Sequence, residues 1–168
     1  MSKKNKNSNL INKKDNTKLV NAFILFGIVL LIGSLVLMFI DNNKNNHIKG
    51  ISYNEYKDLL EKDQYSVILL TSPTCTHCAN YKPYVNLVAD ENDLEIYDIN
   101  VTNLSEEEYY EIHDKYKAIQ NEYDDNKKPL IPTPVTLIVR NGEEVNSVLG
   151  RISYDDLVRL LKNNGVIK

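Results

Sequence analysis

The sequence has few cysteines and scattered histidines, which limits its metal chemistry. Of the 168 residues, only Cys75 and Cys78 are cysteines. A structural zinc site usually takes four ligands, as two pairs of cysteine or histidine. This chain offers one cysteine pair and the separated residues His47, His77 and His113. We therefore predict no bound metal, and zinc or a transient copper(I) site on the two thiolates are the metal alternatives.

Charge is missing from a long stretch near the N-terminus. Residues Leu19 to Ile40 carry no charged side chain, and their only polar residues are Asn21 and Ser34. About 20 apolar residues cross the hydrocarbon core of a bilayer as a helix. Neither an Ala-x-Ala-like site nor a cysteine follows, which argues against a cleaved signal peptide and a lipoprotein anchor. We predict an uncleaved transmembrane helix at residues 19–40.

The lysines give this helix an orientation. Six lysines and one aspartate lie in residues 1–18, whereas only Lys44 and Lys49 follow the apolar stretch closely. Cytoplasmic flanks carry the excess of lysine and arginine in membrane proteins. We therefore expect a single-pass protein of the cell membrane, with its basic N-terminus in the cytoplasm and the residues from Asp41 onward outside the cytoplasm.

The charge balance differs between the two parts of the chain. Residues 1–50 hold eight lysines and two aspartates, whereas residues 51–168 hold 12 lysines and arginines against 21 aspartates and glutamates. An acidic outer domain argues against nucleic acid as a partner. Residues 41–50 are predicted to be a polar linker in which His47 is solvated, and residues 51–168 have an ordinary size for one domain.

Local patterns predict alternating helices and strands after the linker. Ser52 and Ser105 are each followed three residues later by a glutamate, the capping box that begins a helix. The predicted elements are a helix from Ser52, a strand at 66–71, a helix at 76–89, a strand at 94–101, a helix from Ser105, strands at 135–139 and 144–149 joined by Asn141-Gly142, and a helix from Ser153. This order predicts an α/β fold with a mixed sheet and helices on both faces.

Apolar spacing predicts which residues of the helices face the core. In the helix at 76–89 these are Tyr81, Tyr84, Val85, Leu87 and Val88, and in the helix from Ser105 they are Tyr109, Ile112, Tyr116 and Ile119. The stretch between Asn100 and Pro132 is rich in tyrosine and acidic residues. We expect there a solvated acidic helix with a tyrosine seam toward the core, and we place His113 at its surface.

The two cysteines stand where a strand-like run gives way to a helical pattern. Ser66 to Thr71 is the buried strand, and Cys75-Thr76-His77-Cys78 follows at the start of the helix. The N-terminus of a helix favours the thiolate, which is the reactive form of cysteine. The absence of other cysteines suits a catalytic pair in an oxidising compartment. The motif therefore predicts a site of thiol–disulfide exchange.

The order of elements around this motif resembles the thioredoxin-like family over residues 51–168. Pro83 stands five residues after Cys78, where that family kinks its active-site helix. Pro134 stands eight residues before Gly142, where the family has a cis-proline facing the disulfide, and Gly150 matches the family's glycine before the last helix. With the anchor, the chain also resembles thioredoxin-family proteins described as bacteriocin transport accessory proteins.

The resemblance implies a role for each matching residue. Cys75 would be the exposed nucleophile, favoured as a thiolate by the helix and by His77, and Cys78 would be the shielded resolving thiol. Pro134 would be cis and would present the Thr133 backbone to an extended substrate. Thr133 and Thr76, between the cysteines, are the predicted substrate-binding residues.

Departures from the family pattern bear on the direction of electron flow. The chain has no tryptophan, and Leu69 stands where thioredoxin has a buried aspartate that accepts the proton of the resolving cysteine. A histidine directly before the second cysteine resembles the oxidising members of the family. We therefore favour an oxidase or isomerase over a reductase, with the direction left open.

Two functions are consistent with these features. The favoured one is a membrane-anchored thiol–disulfide oxidoreductase that acts on exported proteins or peptides, is reset by a membrane redox partner and needs no cofactor beyond its own disulfide. The alternative is a non-catalytic docking protein for the export of peptides such as bacteriocins, in which Cys75–Cys78 is a structural disulfide.

Overall fold

The computed structural model describes residues 20–35 and 46–168, which fall in two compact units divided after Lys44. In the N-terminal unit, residues 20–35 are helical and belong to helix α1, and their large apolar side chains are exposed. Within the two described ranges, no helix is long and apolar enough to cross a membrane. The predicted span at 19–40 lies partly outside these ranges, and the predicted cytoplasmic tail at 1–18 lies wholly outside them.

The C-terminal unit is built on one five-stranded sheet. Its strands are β1 (Ile48–Gly50), β2 (Tyr65–Thr71), β3 (Ile96–Asn100), β4 (Val135–Arg140) and β5 (Glu143–Leu149). They lie in the order β1-β3-β2-β4-β5. Strands β1, β3 and β2 are parallel, whereas β4 is antiparallel to β2 and β5 is antiparallel to β4. The predicted mixed α/β sheet is confirmed.

Four helices accompany the sheet, and three of them begin at a capping serine. They are α2 (Tyr53–Leu60), α3 (Thr76–Glu91), α4 (Glu106–Lys115) and α5 (Tyr154–Asn163), with a 3-10 helix at Val101–Asn103. The capping boxes of α2 and α4 form as predicted from the sequence. In the box of α2, Ser52 Oγ accepts the Glu55 N–H at 3.3 Å, and the Glu55 carboxylate accepts the Ser52 N–H at 2.8 Å.

The helices cover both faces of the sheet because β2 is apolar on both sides. Ile68 and Leu70 point to a core shared with α2 and α4. Val67 and Leu69 point to the opposite core, which is shared with α3 and α5. A strand buried on both faces reads as a continuous apolar run, and residues 66–71 have this character.

The prediction that Tyr84 and Leu87 of α3 face the core is wrong. Tyr84 is 45% exposed and Leu87 is 46% exposed. Helix α3 packs on the sheet through Tyr81, Val85 and Val88, which recur at helical spacing on one side. Tyr84 and Leu87 lie outside that side of the helix and face solvent, so their apolar character alone did not predict their burial.

The surface position predicted for His113 is also wrong, because its side chain is fully buried. Its Nε2–H donates to the Glu122 carbonyl at 2.8 Å, and its Nδ1 lies 2.8 Å from a carboxylate oxygen of Asp114. The Tyr123 ring contacts it edge-on, with 5.4 Å between ring centroids. The segment after α4 folds back over the helix and covers a position that the helical pattern alone left exposed.

The predicted linker at 41–50 ends earlier than expected. Residues 48–50 form β1 at the edge of the sheet, where Ile48 pairs with Ile96 of β3. His47 is half-buried rather than solvated, since its N–H donates to Asn86 Oδ1 at 2.8 Å and its Nε2 lies 3.2 Å from an Asp90 carboxylate oxygen. The folded unit therefore includes residues that the sequence assigned to the linker, and residues 41–45 lie outside the described ranges.

Candidate redox site

The Cys-x-x-Cys motif lies at the N-terminus of α3, directly after the loop that leaves β2. Cys75 and Cys78 form a disulfide with their Cα atoms 5.2 Å apart. Cys75 is the N-cap residue of α3, and its Sγ accepts the Cys78 N–H at 3.0 Å. An N-cap side chain takes one of the backbone donors that a helix leaves unpaired at its start. In the reduced pair, the same N–H and the positive helix end would stabilise a Cys75 thiolate.

The two sulfurs of the pair differ in their access to solvent. Cys75 is half-buried, whereas Cys78 is only 2% exposed. This difference follows from the helix, because Cys78 sits on the side of α3 that faces the sheet and Cys75 precedes the first turn. An incoming thiolate can therefore reach the Cys75 sulfur more readily than the Cys78 sulfur.

The fold brings the segment before β4 against this pair. The Thr133–Pro134 peptide bond is cis. The Thr133 carbonyl oxygen lies 3.3 Å from Cys75 Sγ, although the two residues are 58 positions apart in the chain. Pro134 is buried, and its carbonyl accepts the Gly150 N–H at 2.8 Å, so this segment is held to the turn before α5.

The remaining predicted site residues, Thr76 and His77, lie beside the disulfide in the sequence and at the start of α3. Thr76 and His77 are both exposed and occupy the first turn of α3, between the cysteines. Leu69 is fully buried in β2, so this strand offers no carboxylate beneath the pair. His47 and His113 are engaged elsewhere, and the described residues contain no group of three or more histidine, cysteine or acidic side chains that could hold a metal ion.

The structure contains a polar network beside α3 that the sequence did not predict. The Asp98 carboxylate of β3 accepts a hydrogen bond from Thr71 Oγ1 at 2.7 Å. Its other oxygen forms an ion pair with Lys82 Nζ at 2.6 Å. The Asp98 side chain is 13% exposed. In the sequence, a carboxylate in an alternating strand indicates the solvent face. The signal that could have revealed the network is that Asp98 shares a sheet face with the apolar residue Ile96.

Comparison with known proteins identifies the fold. No protein-family model and no curated protein matches the chain. Among solved structures, the N21Q mutant of thioredoxin from Halobacterium salinarum NRC-1 is 18% identical with a TM-score of 0.51, over 70% of this chain and 89% of that one. Thioredoxin NaTrxh from Nicotiana alata is 16% identical with a TM-score of 0.52, over 73% and 96% of the two chains.

The C-terminal unit has a thioredoxin-like fold. This confirms the fold expected from the cysteine motif, the two prolines and the hairpin. Within the thioredoxin-like unit, the disulfide follows the C-terminal end of β2, at the edge of the sheet where the carboxyl ends of the parallel strands β1, β3 and β2 lie. Ligands of open α/β sheets bind outside the carboxyl ends of such strands, so this edge is the expected place for chemistry.

Proposed function

We propose that the chain is a thiol–disulfide oxidoreductase that exchanges disulfides with exported proteins or peptides through Cys75 and Cys78. The observation that supports this proposal most directly is the unequal setting of the two sulfurs. Cys75 is accessible and accepts a hydrogen bond at a helix N-terminus, whereas Cys78 is shielded. An exchange pair needs one sulfur that meets the substrate and one that resolves the mixed disulfide.

In the oxidising direction, a substrate thiolate attacks Cys75 Sγ. The Cys75–Cys78 bond breaks, its electron pair passes to Cys78, and a mixed disulfide forms between the substrate and Cys75. A second substrate thiolate then attacks the substrate sulfur of that mixed disulfide and releases Cys75 as a thiolate. The substrate has lost two electrons and gained a disulfide, and the protein has become a dithiol. The reducing direction runs the same steps backwards.

The segment at Thr133 supplies the surface on which an extended substrate binds. The ladder of β4 begins at Val135, so Thr133 lies beyond the residues paired with β2 and β5. Thr133 is half-buried next to Cys75, and its backbone would pair with an incoming chain. Thr76 and His77 are exposed between the two cysteines, so they are the side chains of α3 that a substrate at Cys75 would meet.

The setting of this reaction is proposed from the N-terminal part of the chain. Residues 19–40 form the membrane anchor, and the thioredoxin-like unit lies outside the cytoplasm, where a membrane redox partner resets the pair. The uncharged composition of this stretch and the excess of lysine before it support the proposal. The resemblance to bacteriocin transport accessory proteins points to exported peptides among the substrates.

Trapping the mixed disulfide tests the exchange reaction. Full-length Cys78→Ser cannot resolve a mixed disulfide, so we expect it to accumulate adducts with exported proteins that dithiothreitol releases. Cys75→Ser is the matched control, because it keeps one thiol but lacks the accessible sulfur, and it should trap at least about tenfold less. Equal trapping by both variants, or by neither, would favour the docking protein with a structural disulfide.

Labelling intact cells tests the topology. The Cys78→Ser variant has Cys75 as its single thiol, so a membrane-impermeant maleimide should modify Cys75 without lysis. A version with a cysteine introduced at Ser2, in a Cys75→Ser/Cys78→Ser background, should react only after lysis. Reaction of Cys75 only after lysis would place the domain in the cytoplasm and contradict the anchored orientation.

A further inference from the structure

The resolving step requires a proton acceptor, and the polar network beside α3 offers one. Cys78 reacts as a thiolate, so its thiol must lose a proton before it attacks the mixed disulfide. Cys78 is 2% exposed, and burial in apolar surroundings opposes its ionisation in place. A nearby base that also reaches solvent would remove this obstacle.

Asp98 lies on the sheet face that α3 covers. It is in register with Leu69 of the neighbouring parallel strand, and in-register residues of parallel strands point to the same face. The face formed by the ends of these two strands consists of Val67, Leu69, Thr71, Ile96, Asp98 and Asn100. Among these six residues, Asp98 is the only one with an acid–base side chain.

The partners of Asp98 connect it to both sides of the motif. Lys82 is four residues after Cys78 on α3, and residues at that spacing are neighbours on one helix face. Its ammonium group lies 2.6 Å from one Asp98 oxygen. Thr71, the last residue of β2 before the cysteine loop, donates to the other oxygen at 2.7 Å. The carboxylate is therefore held in position from the helix that carries Cys78 and from the strand that leads to Cys75.

Asp98 also has a route to solvent. It lines an open groove of about 470 Å³ between α3 and β1, together with Ala79, which follows Cys78 directly, and Lys82. A second groove of about 460 Å³, on its other side, is lined by Tyr53 of α2 and Glu108 of α4. Lys82, Tyr53 and Glu108 are the titratable side chains that share these grooves with Asp98. Tyr53 keeps its proton at neutral pH, since burial raises its pKa.

We propose that Asp98, positioned by Lys82 and Thr71, receives the proton of the Cys78 thiol in the resolving step. The inference rests on the proposed exchange reaction. Cys78 S–H gives its proton to the Asp98 carboxylate, and the resulting thiolate attacks Cys75 Sγ of the mixed disulfide. A new Cys75–Cys78 bond forms, the bond from Cys75 to the substrate sulfur breaks, and the substrate leaves with that electron pair as a thiolate. Asp98 then returns its proton to solvent through the groove.

The reaction of the reduced full-length chain with Ellman's reagent separates the two steps. Attack by Cys75 releases the first coloured thiolate and leaves a mixed disulfide, and attack by Cys78 releases the second. In Asp98→Asn we expect the second phase to slow by about 10- to 100-fold at pH 7, as removal of a general base does. The first phase should stay within about twofold. The defect should shrink toward pH 9–10, where an ordinary thiol, with a pKa of about 8.5, ionises without a base.

Two further variants make the outcome decisive. Asp93→Asn is the matched control, because Asp93 is exposed and its positive φ of 49° is one that asparagine tolerates. Asp98→Asn alone leaves the Lys82 ammonium group without its partner and could fold poorly for that reason. Asp98→Asn/Lys82→Gln removes both charges of the ion pair and so avoids this problem. It should show the same defect at pH 7 and the same recovery at high pH.

The failures of the two proposals are distinguishable. A wild-type chain that releases no second coloured thiolate would overturn the exchange reaction itself. A wild-type chain that completes both phases, together with an Asp98→Asn second phase that is unchanged at pH 7, would overturn the role of Asp98 alone. Slowing of both phases by the same factor at every pH would also overturn it, since that is the signature of a structural defect.

Discussion

At the scale of single residues, the site depends on side chains whose surroundings differ sharply over short distances in the chain. Cys75 and Cys78 are three residues apart, yet Cys75 caps α3 and is half-buried, whereas Cys78, in the first turn of α3, is 2% exposed. Asp98 and Tyr97 are adjacent in β3, yet Tyr97 packs against the core under α2 and α4, whereas Asp98 faces α3. The chemistry assigned to each residue follows from these surroundings.

A buried tyrosine pair in the other core gives a prediction at this scale. The hydroxyls of Tyr56 and Tyr116 lie 2.8 Å apart with both rings buried. Burial raises the pKa of Tyr116 to about 12, and it raises the pKa of Tyr56 as well. The folded chain therefore keeps protons that the unfolded chain loses above pH 10. The free energy of unfolding should be insensitive to this pair up to about pH 9 and should fall between pH 10 and 12.

Phenylalanine substitutions separate the hydrogen bond from the packing. Tyr56→Phe leaves the Tyr116 hydroxyl buried without its partner and should cost about 1–3 kcal/mol in urea unfolding at pH 8. Tyr56→Phe/Tyr116→Phe removes both hydroxyls, so it should recover most of that loss and unfold less readily in alkali than the wild type. A double variant that loses twice as much as the single one would contradict this account.

How far single residues can be predicted from sequence depends on the range of the interaction. The role of the cysteines rests on a local pattern, a strand followed by a helix with the pair at the junction. The burial of His113 rests on a segment that returns nine residues later, at Glu122, and helical spacing does not encode this contact. Asp98 was missed for a related reason, since alternation in a strand distinguishes two faces but does not tell which face carries a buried charge.

At the scale of elements, predictions were accurate where one short pattern determines the structure. The capping boxes at Ser52 and Ser105 and the hairpin at Asn141-Gly142 all form. Strand β1 was missed because its three residues resemble the polar segment before them, and only pairing with β3 makes them a strand. Helix α4 ends at Lys115, earlier than its apolar spacing suggested, while Tyr116 and Ile119 remain buried beyond its end.

The hairpin between β4 and β5 gives a prediction at this scale. Gly142 has a φ of +74°, and a Cβ placed there would lie 3.2 Å from the Leu60 carbonyl oxygen. Gly150 has a similar φ of +83°, but a Cβ there would have no atom within 4 Å. Both alanine variants pay the left-handed backbone cost of about 1–2 kcal/mol. Gly142→Ala also has to move a backbone neighbour, so it should lose more stability than Gly150→Ala.

Urea unfolding of the two variants measures that difference. Gly150→Ala is the matched control for the backbone term, since both glycines have a left-handed φ and only a Cβ at position 142 would meet a neighbour. Equal losses of stability in the two variants would show that Leu60, at the end of α2, moves away from the new Cβ at no measurable cost. A smaller loss for Gly142→Ala would contradict the close packing between the end of α2 and this turn.

At the scale of the whole molecule, the chain combines a basic, apolar N-terminal part with an acidic thioredoxin-like unit. The net charge of the first fifty residues is opposite in sign to that of the remainder, so the near-neutral total conceals two parts of opposite charge. The fold of the second unit is established by its structural neighbours. Its proposed reaction rests on one pair of sulfurs and on the polar groups arranged around them.

The reduction potential of the Cys75–Cys78 pair in the full-length chain, titrated against glutathione, tests the exchange reaction most directly. The account predicts a value between about −120 mV, typical of strong oxidants, and about −270 mV, typical of thioredoxin. A value near the upper end would assign the chain to disulfide donation, and one near the lower end would assign it to reduction. A pair that resists reduction to below about −300 mV would be a structural disulfide and would contradict the proposed function.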